Sequence, residues 1–92
     1  MPVTVKIPTQ LRSVTGGAAE ATAEGATVAE VLDSLYETHG ELRGRLSDDG
    51  GALRRFVNVY IGGEDIRFLD GLQTEVREGD EVTILPAVAG GR

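Results

Sequence analysis

Thr27-Val28-Ala29-Glu30-Val31-Leu32-Asp33-Ser34-Leu35-Tyr36-Glu37-Thr38-His39-Gly40 decides the fold. Val28, Val31, Leu32, Leu35 and Tyr36 fall at i, i+3, i+4, i+7 and i+8, one apolar stripe of an α-helix. Glu30, Asp33, Ser34, Glu37 and Thr38 take the other face. Thr27 and Glu30 have the spacing of a capping box, in which each side chain satisfies a backbone donor left orphaned by the first turn. Gly40 is the expected C-terminal stop. Such a stripe has to be buried against a second layer. With Leu32 and Leu35 in that core, truncating either to Ala costs about 2–5 kcal/mol.

The flanking sequence supplies the layer. Upstream, Val3, Val5 and Ile7 alternate with Thr4 and Lys6, the period of a strand with one buried face. Pro8 ends it, Leu11 and Val14 anchor the turn, and Gly16-Gly17 closes it. Ala18 to Glu24 reads as a weak second strand that Gly25 breaks. Downstream, Glu41 to Leu46 suggests a short helical turn and Ser47 to Gly51 a surface loop. Arg54 to Ile61 is a strong strand, followed by a turn at Gly62-Gly63. Asp65 to Phe68 reads as a short return strand or arm. Leu72 and Val76 plug the base of the core, and Glu78-Gly79-Asp80 turns the chain into the final strand, Glu81 to Leu85, which Pro86 ends.

One helix between hairpins is an α+β arrangement: a mixed sheet of about four or five strands with the helix across one face. The right-handed crossover rule sets the first and last strands side by side and parallel in the centre. Val3, Val5, Ile7, Val57, Val59, Ile61, Val82 and Ile84 then face the helix.

Composition narrows the function. The chain has 92 residues, 40% of them hydrophobic, enough for one globular domain with a modest core. A net charge of −6 argues against nucleic acid and anionic membranes and for a partner with a basic face. The absence of cysteine excludes a disulfide framework, a thiolate nucleophile and a cysteine metal site, and it suits a reducing cytoplasm. The N-terminus shows no signal-peptide pattern, and no apolar run is long enough to span a membrane. His39 sits in the last turn of the helix, where it complements the macrodipole, with no nucleophile or orienting carboxylate around it. Glu37, Glu41, Asp48 and Asp49 lack metal-loop spacing. Gly62-Gly63-Glu64-Asp65 is a turn and not a phosphate cradle, because no helix follows it. The chain is not expected to be an enzyme in its own right, nor to bind a metal or a cofactor.

The second face of the sheet points to a partner. Phe56, Asn58 and Tyr60 alternate with the core valines and face away from the helix, as do Thr83 and Leu85. Phe56, Tyr60 and Leu85, joined by Phe68, form a candidate partner-binding face, since aromatic clusters of this kind concentrate at interfaces. Arg54, Arg55 and Arg67 stand as solvated charges on its flank. Beyond Pro86 the chain is Ala87-Val88-Ala89-Gly90-Gly91-Arg92. Read alone this is a frayed end. Its reach from Pro86 to Gly91 is about 20 Å when extended, and glycines without Cβ atoms can enter a narrow cleft.

Phe56-Val57-Asn58-Val59-Tyr60-Ile61, the acidic turn with Asp65-Ile66-Arg67, the Leu72 segment, Glu78-Gly79-Asp80-Glu81-Val82-Thr83-Ile84-Leu85-Pro86 and the ending Val88-Ala89-Gly90-Gly91 together resemble the ThiS/MoaD family of sulfur carriers. These are ubiquitin-like β-grasp proteins, and the resemblance covers nearly the whole chain. The ending is most similar to the actinobacterial carriers of cysteine biosynthesis, with the small subunit of molybdopterin synthase second. The resemblance implies a β-grasp domain over 1–86 and a flexible tail over 87–92. It implies that an ATP-dependent enzyme of the ubiquitin-activating type adenylates the carboxylate of Gly91, and that a sulfur donor converts it to a thiocarboxylate. Val88, Ala89, Gly90 and Gly91 would thread into the partner's site, and a sulfur-accepting synthase would take the sulfur. The carrier itself is expected to be a cytoplasmic monomer when free, with ATP consumed by its partner. Arg92 departs from the pattern, because its amide bond occupies the Gly91 carboxylate. It is an expression remnant, a natural residue removed by a metal-dependent (JAMM-type) peptidase, or the mark of a form inactive as carrier.

Overall fold

A computed structural model describes residues 2–55 and 57–86 of the chain. Five strands form one mixed sheet: β1 (Pro2–Lys6), β2 (Glu20–Glu24), β3 (Val57–Ile61), β4 (Glu64–Asp65) and β5 (Glu81–Pro86), in the order β2-β1-β5-β3-β4. β1 and β5 are parallel neighbours at the centre, with Val5 opposite Val82, and β2, β3 and β4 pair antiparallel with their neighbours. The expected α+β sheet with its central parallel pair is therefore present. Strand alternation sends Val3, Val5, Val57, Val59, Val82 and Ile84 into the core together with Ile7. Ile61 was expected beside them but is only partly buried, because it lies where β3 gives way to the Gly62-Gly63 turn. Both glycines have positive φ there, 59° and 90°.

The principal helix, α1 (Val28–Thr38), lays Val28, Val31, Leu32, Leu35 and Tyr36 on this core. The capping box forms with one shift. Thr27 Oγ1 accepts from the Glu30 N–H at 3.3 Å, but Glu30 Oε1 accepts from Ala26 N–H at 2.8 Å, one residue upstream of the cap. A second tie holds the same end: Val28 N–H donates to Thr74 O at 3.0 Å and Val76 N–H to Ala26 O at 2.9 Å. Thus the segment carrying Val76 clamps the start of α1 and satisfies a further first-turn donor. Gly25 makes the approach possible, since a Cβ there would lie 2.6 Å from Val31 N and 2.7 Å from Glu30 Cβ.

The other end of α1 differs from the sequence expectation. The helix stops at His39, at φ −127° and ψ 74°, whereas Gly40 has right-handed helical angles and opens a second helix, α2 (Glu41–Leu46). Gly40 is a hinge between helices and not a left-handed stop. The cause is Leu42 and Leu46, four residues apart and both fully buried, which fold this segment back onto the core. Tyr36 joins the two helices: its hydroxyl and Ser47 Oγ are 2.7 Å apart in a buried hydrogen bond, and Arg43 sits over its ring at 4.9 Å from the centroid. Burial pushes the Tyr36 phenol above its ordinary value near 10, opposed by the Ser47 hydrogen bond and the Arg43 charge, with Asp33 adding to the rise.

Candidate docking face

With both helices on one side, the opposite face of the sheet has no covering layer among the described residues. Strand registers place one row straight across it: Glu20 pairs with Lys6, Lys6 with Thr83, Thr83 with Tyr60, and Tyr60 with Asp65. Next to this row Leu85 stands opposite Asn58, so Leu85 and Tyr60 are diagonal neighbours, within reach of long side chains on one face. Leu85 is 46% exposed although it is a strand residue, because the helices cover only the side to which Val82 and Ile84 point. Lys6 Nζ lies 3.7 Å from Glu81 Oε1, so the cation in the middle of the row is partnered on its own surface.

Phe68 is placed differently from Tyr60 and Leu85. The expected return strand is only the two residues of β4, and the chain then coils into a 3-10 turn, Ile66–Phe68, with Ile66 buried and Phe68 84% exposed. Asp65 Oδ1 caps that turn, accepting from Arg67 N–H at 2.8 Å. Arg67 is more than a solvated charge: its Nη2 donates to Arg55 O at 3.0 Å and to Val57 O at 2.9 Å, tying the turn to the start of β3. Arg54 is likewise tied, its Nε donating to Gly44 O at 3.1 Å, while Arg55 is exposed. Tyr60 and Leu85 are thus brought together, Phe68 projects from a separate turn at the β3 side, and Phe56, Val88, Ala89, Gly90 and Gly91 lie outside the described residues.

The face offers contact area and charge. Among the described residues no group of three His, Cys, Asp or Glu side chains is placed to hold a metal. His39 serves as the C-cap of α1, its N–H donating to Leu35 O at 2.8 Å. No helix among the described residues is long and apolar enough to cross a membrane. Sequence reasoning missed one part of this surface. Where β1 leaves the sheet, the turn over Thr9–Leu11 folds against the end of β5 and leaves an open recess of about 280 Å³. Lys6, Pro8, Arg12, Thr83 and Leu85 are among the residues that line it. Arg12 stands in an aperiodic turn, so nothing in the sequence pattern placed it there.

Comparison with known proteins settles the family. The model of the ThiS family matches residues 5–91. This chain belongs to the ThiS family. It is 50% identical over 93 residues to the sulfur carrier protein CysO of Mycobacterium tuberculosis, covering 99% of this chain and all of that one. Its fold superposes on a chain of the Amycolatopsis orientalis BexX/CysO complex with a TM-score of 0.89 and 52% identity, over 97% of this chain and 99% of that one. SAMP1, a small archaeal modifier protein of Haloferax volcanii, superposes with a TM-score of 0.85 at 30% identity, over 99% and 100% of the two chains. The ubiquitin-like β-grasp fold follows from these neighbours and from the five-stranded sheet with its one main helix. ThiS-family relatives of these kinds are named carriers and modifiers, and this chain is not a catalyst in its own right.

Proposed function

We propose that this ThiS-family chain is a sulfur carrier for biosynthesis, with cysteine as the first candidate product, and that the carboxylate of Gly91 is the group that carries the sulfur. The observation that supports this most is the extent of the match: the family model runs to residue 91 and so includes Gly90-Gly91, and CysO is matched over its whole length. A carboxylate is a poor electrophile while its oxygen cannot leave. An activating enzyme removes that obstacle: the Gly91 carboxylate attacks the α-phosphorus of ATP, pyrophosphate leaves, and an acyl-adenylate forms. A sulfide-level nucleophile then attacks the acyl carbon and AMP departs, leaving a thiocarboxylate. The chain contributes a slender acyl group and a docking surface, and its partners contribute the catalytic groups. Arg92 has to be absent for this chemistry, by hydrolysis of its peptide bond or by its not being native.

The test is intact-mass measurement of protein ending at Gly91 after incubation with ATP, the activating enzyme of the same genome and a sulfur donor. A gain equal to oxygen-to-sulfur replacement is expected, and no gain refutes the reading. The uncovered sheet face that carries Tyr60 and Leu85 favours a second reading, an interaction module that works through its surface alone. Deleting Gly90 to Arg92 separates the two, because a module keeps its cellular function and a carrier loses it.

A further inference from the structure

The loop between α2 and β3 carries chemistry that sulfur transfer does not use. Asp48, Asp49, Gly50 and Gly51 cross it, and all four are exposed. Asp48 organises the loop: its Oδ1 accepts from Gly50 N–H at 2.9 Å and from Ala52 N–H at 3.1 Å. Its main chain closes the same loop, the N–H donating to Ala52 O at 2.8 Å and the carbonyl accepting from Gly51 N–H at 3.0 Å. Ser47 and Leu53 bridge across the base. Asp49 has no such duties. Among the described residues its carboxylate makes no hydrogen bond and no ion pair, so the side chain can turn back on its own main chain. The next residue, Gly50, has no Cβ to hinder approach to its nitrogen. Asp49 Cγ and Gly50 N are the two ends of a five-membered ring waiting to close, and the proton that has to leave Gly50 N already rests on a carboxylate, that of Asp48.

We propose that Asp49 is a site of spontaneous isomerisation to isoaspartate, with the Asp48 carboxylate as proton acceptor. The Gly50 nitrogen attacks Asp49 Cγ and its proton passes to Asp48 Oδ1. The N–Cγ bond forms, a Cγ–O bond breaks and water leaves, giving a succinimide ring. Water then reopens the ring at one of two bonds. Cleavage of N–Cγ restores Asp49. Cleavage between the nitrogen and the Asp49 carbonyl carbon leaves the main chain running through Cβ and Cγ, with that carbonyl carbon now a free carboxylate. The net change is an isomerisation without oxidant or reductant. Its product is the substrate class of a carboxyl methyltransferase that uses S-adenosylmethionine. The lengthened loop pulls on Ser47, the partner of the Tyr36 hydroxyl, and leaves Tyr60 and Leu85 untouched. Asp70-Gly71 is the other Asp-Gly pair of the chain, and it is held against the same reaction. Asp70 sits at ψ 22° before the turn Gly71–Gln73, its N–H donating to Thr74 Oγ1 at 3.0 Å and its carbonyl accepting from Gln73 N–H at 3.0 Å. Gly71 is half-buried, and among the described residues no carboxylate accepts from its N–H.

The test ages the full chain in warm neutral buffer. Isoaspartate is counted by methyl transfer from labelled S-adenosylmethionine with a purified isoaspartyl methyltransferase, and it is located by peptide mapping with electron-transfer fragmentation. In the folded chain position 49 is expected to gain isoaspartate about fivefold or more faster than position 70, a modest share of what a positioned proton acceptor supplies. In guanidinium chloride the two rates are expected to converge, because neither loop is then formed. Asp48→Asn, shown to be folded by a thermal melt, is expected to slow position 49 about fivefold and to leave position 70 unchanged. Asp49→Glu removes the signal at position 49, because the ring would need a sixth member. Wild type without isoaspartate at position 49, or with equal rates at 49 and 70 in the folded chain, overturns the proposal. A folded Asp48→Asn that ages at the wild-type rate overturns it as well. Should Asp48→Asn unfold, the ratio of the two positions in folded and denatured wild type decides alone. None of these readouts involves sulfur, so the result is independent of the carrier reading.

Discussion

Tyr36→Phe tests how the two helices are held together. Tyr36 is 5% exposed and Ser47 is 7% exposed, and among the described residues each hydroxyl has the other as its one hydrogen-bond partner, at 2.7 Å. Removing the phenol oxygen leaves the ring packed under Arg43 but strands the Ser47 hydroxyl away from water. A stranded buried hydroxyl costs about 1–3 kcal/mol. In a domain of this size each kcal/mol lowers Tm by about 4–8 °C. Ser47→Ala makes the mirror-image defect and should cost a similar amount. The double variant removes both polar atoms, so neither is orphaned, and it should recover much of the loss, with a coupling energy of about 0.5–3 kcal/mol. Urea denaturation of the four proteins, followed by circular dichroism, supplies the cycle. Single-variant costs that simply add in the double variant would refute the reasoning, because the hydroxyls would then not be each other's partners. The consequence reaches the docking face, since Arg54 N–H donates to Leu46 O at the end of α2 and so fixes the approach to β3.

Gly25→Ala puts a Cβ within 2.6 Å of the α1 backbone, too close for any side-chain rotation to relieve. A shift of β2 against α1 is the only escape, and a loss of about 1–3 kcal/mol in chemical denaturation is expected. An unchanged midpoint would mean that the close packing of this joint is not needed. Alkaline titration reports on Tyr36. Its folded-state proton is held more tightly than in the unfolded chain, so the stability it contributes is intact below pH 10 and is lost as pH rises beyond it. Melting temperature should fall faster above that pH in wild type than in Tyr36→Phe. Equal slopes would show that the phenol is not desolvated.

The parts of the fold that were legible in the sequence are those with a period. The α1 stripe from Val28 to Tyr36, the alternation along β1, β3 and β5 and the parallel pairing at the centre all follow from patterning and handedness. Gly40 was ambiguous, because a glycine after a helix serves equally as a terminator or as a hinge. Leu42 and Leu46 at helical spacing were the available signal for the hinge. Arg67 and Arg12 were illegible for another reason. Their hydrogen-bond partners, Val57 O and Ile7 O, are main-chain carbonyls, and a carbonyl leaves no mark on the sequence. Of the candidate site, Tyr60 and Leu85 were placed correctly on one face by alternation alone. Phe68 depended on where β4 stops, which a two-residue strand hardly encodes.

The parallel neighbours β1 and β5 have a mechanical consequence. A pull on β1 at Pro2 and on β5 at Pro86 acts at opposite ends of two strands running the same way. Their hydrogen bonds then lie across the line of force and bear it together, as a lap joint does, instead of opening singly like a zip. β5 is clasped by β3 on its other side over five residue pairs. A machine that grips this protein beyond residue 86 and tugs meets the sheet at its most resistant seam, so the folded body should stay intact while its trailing end is handled.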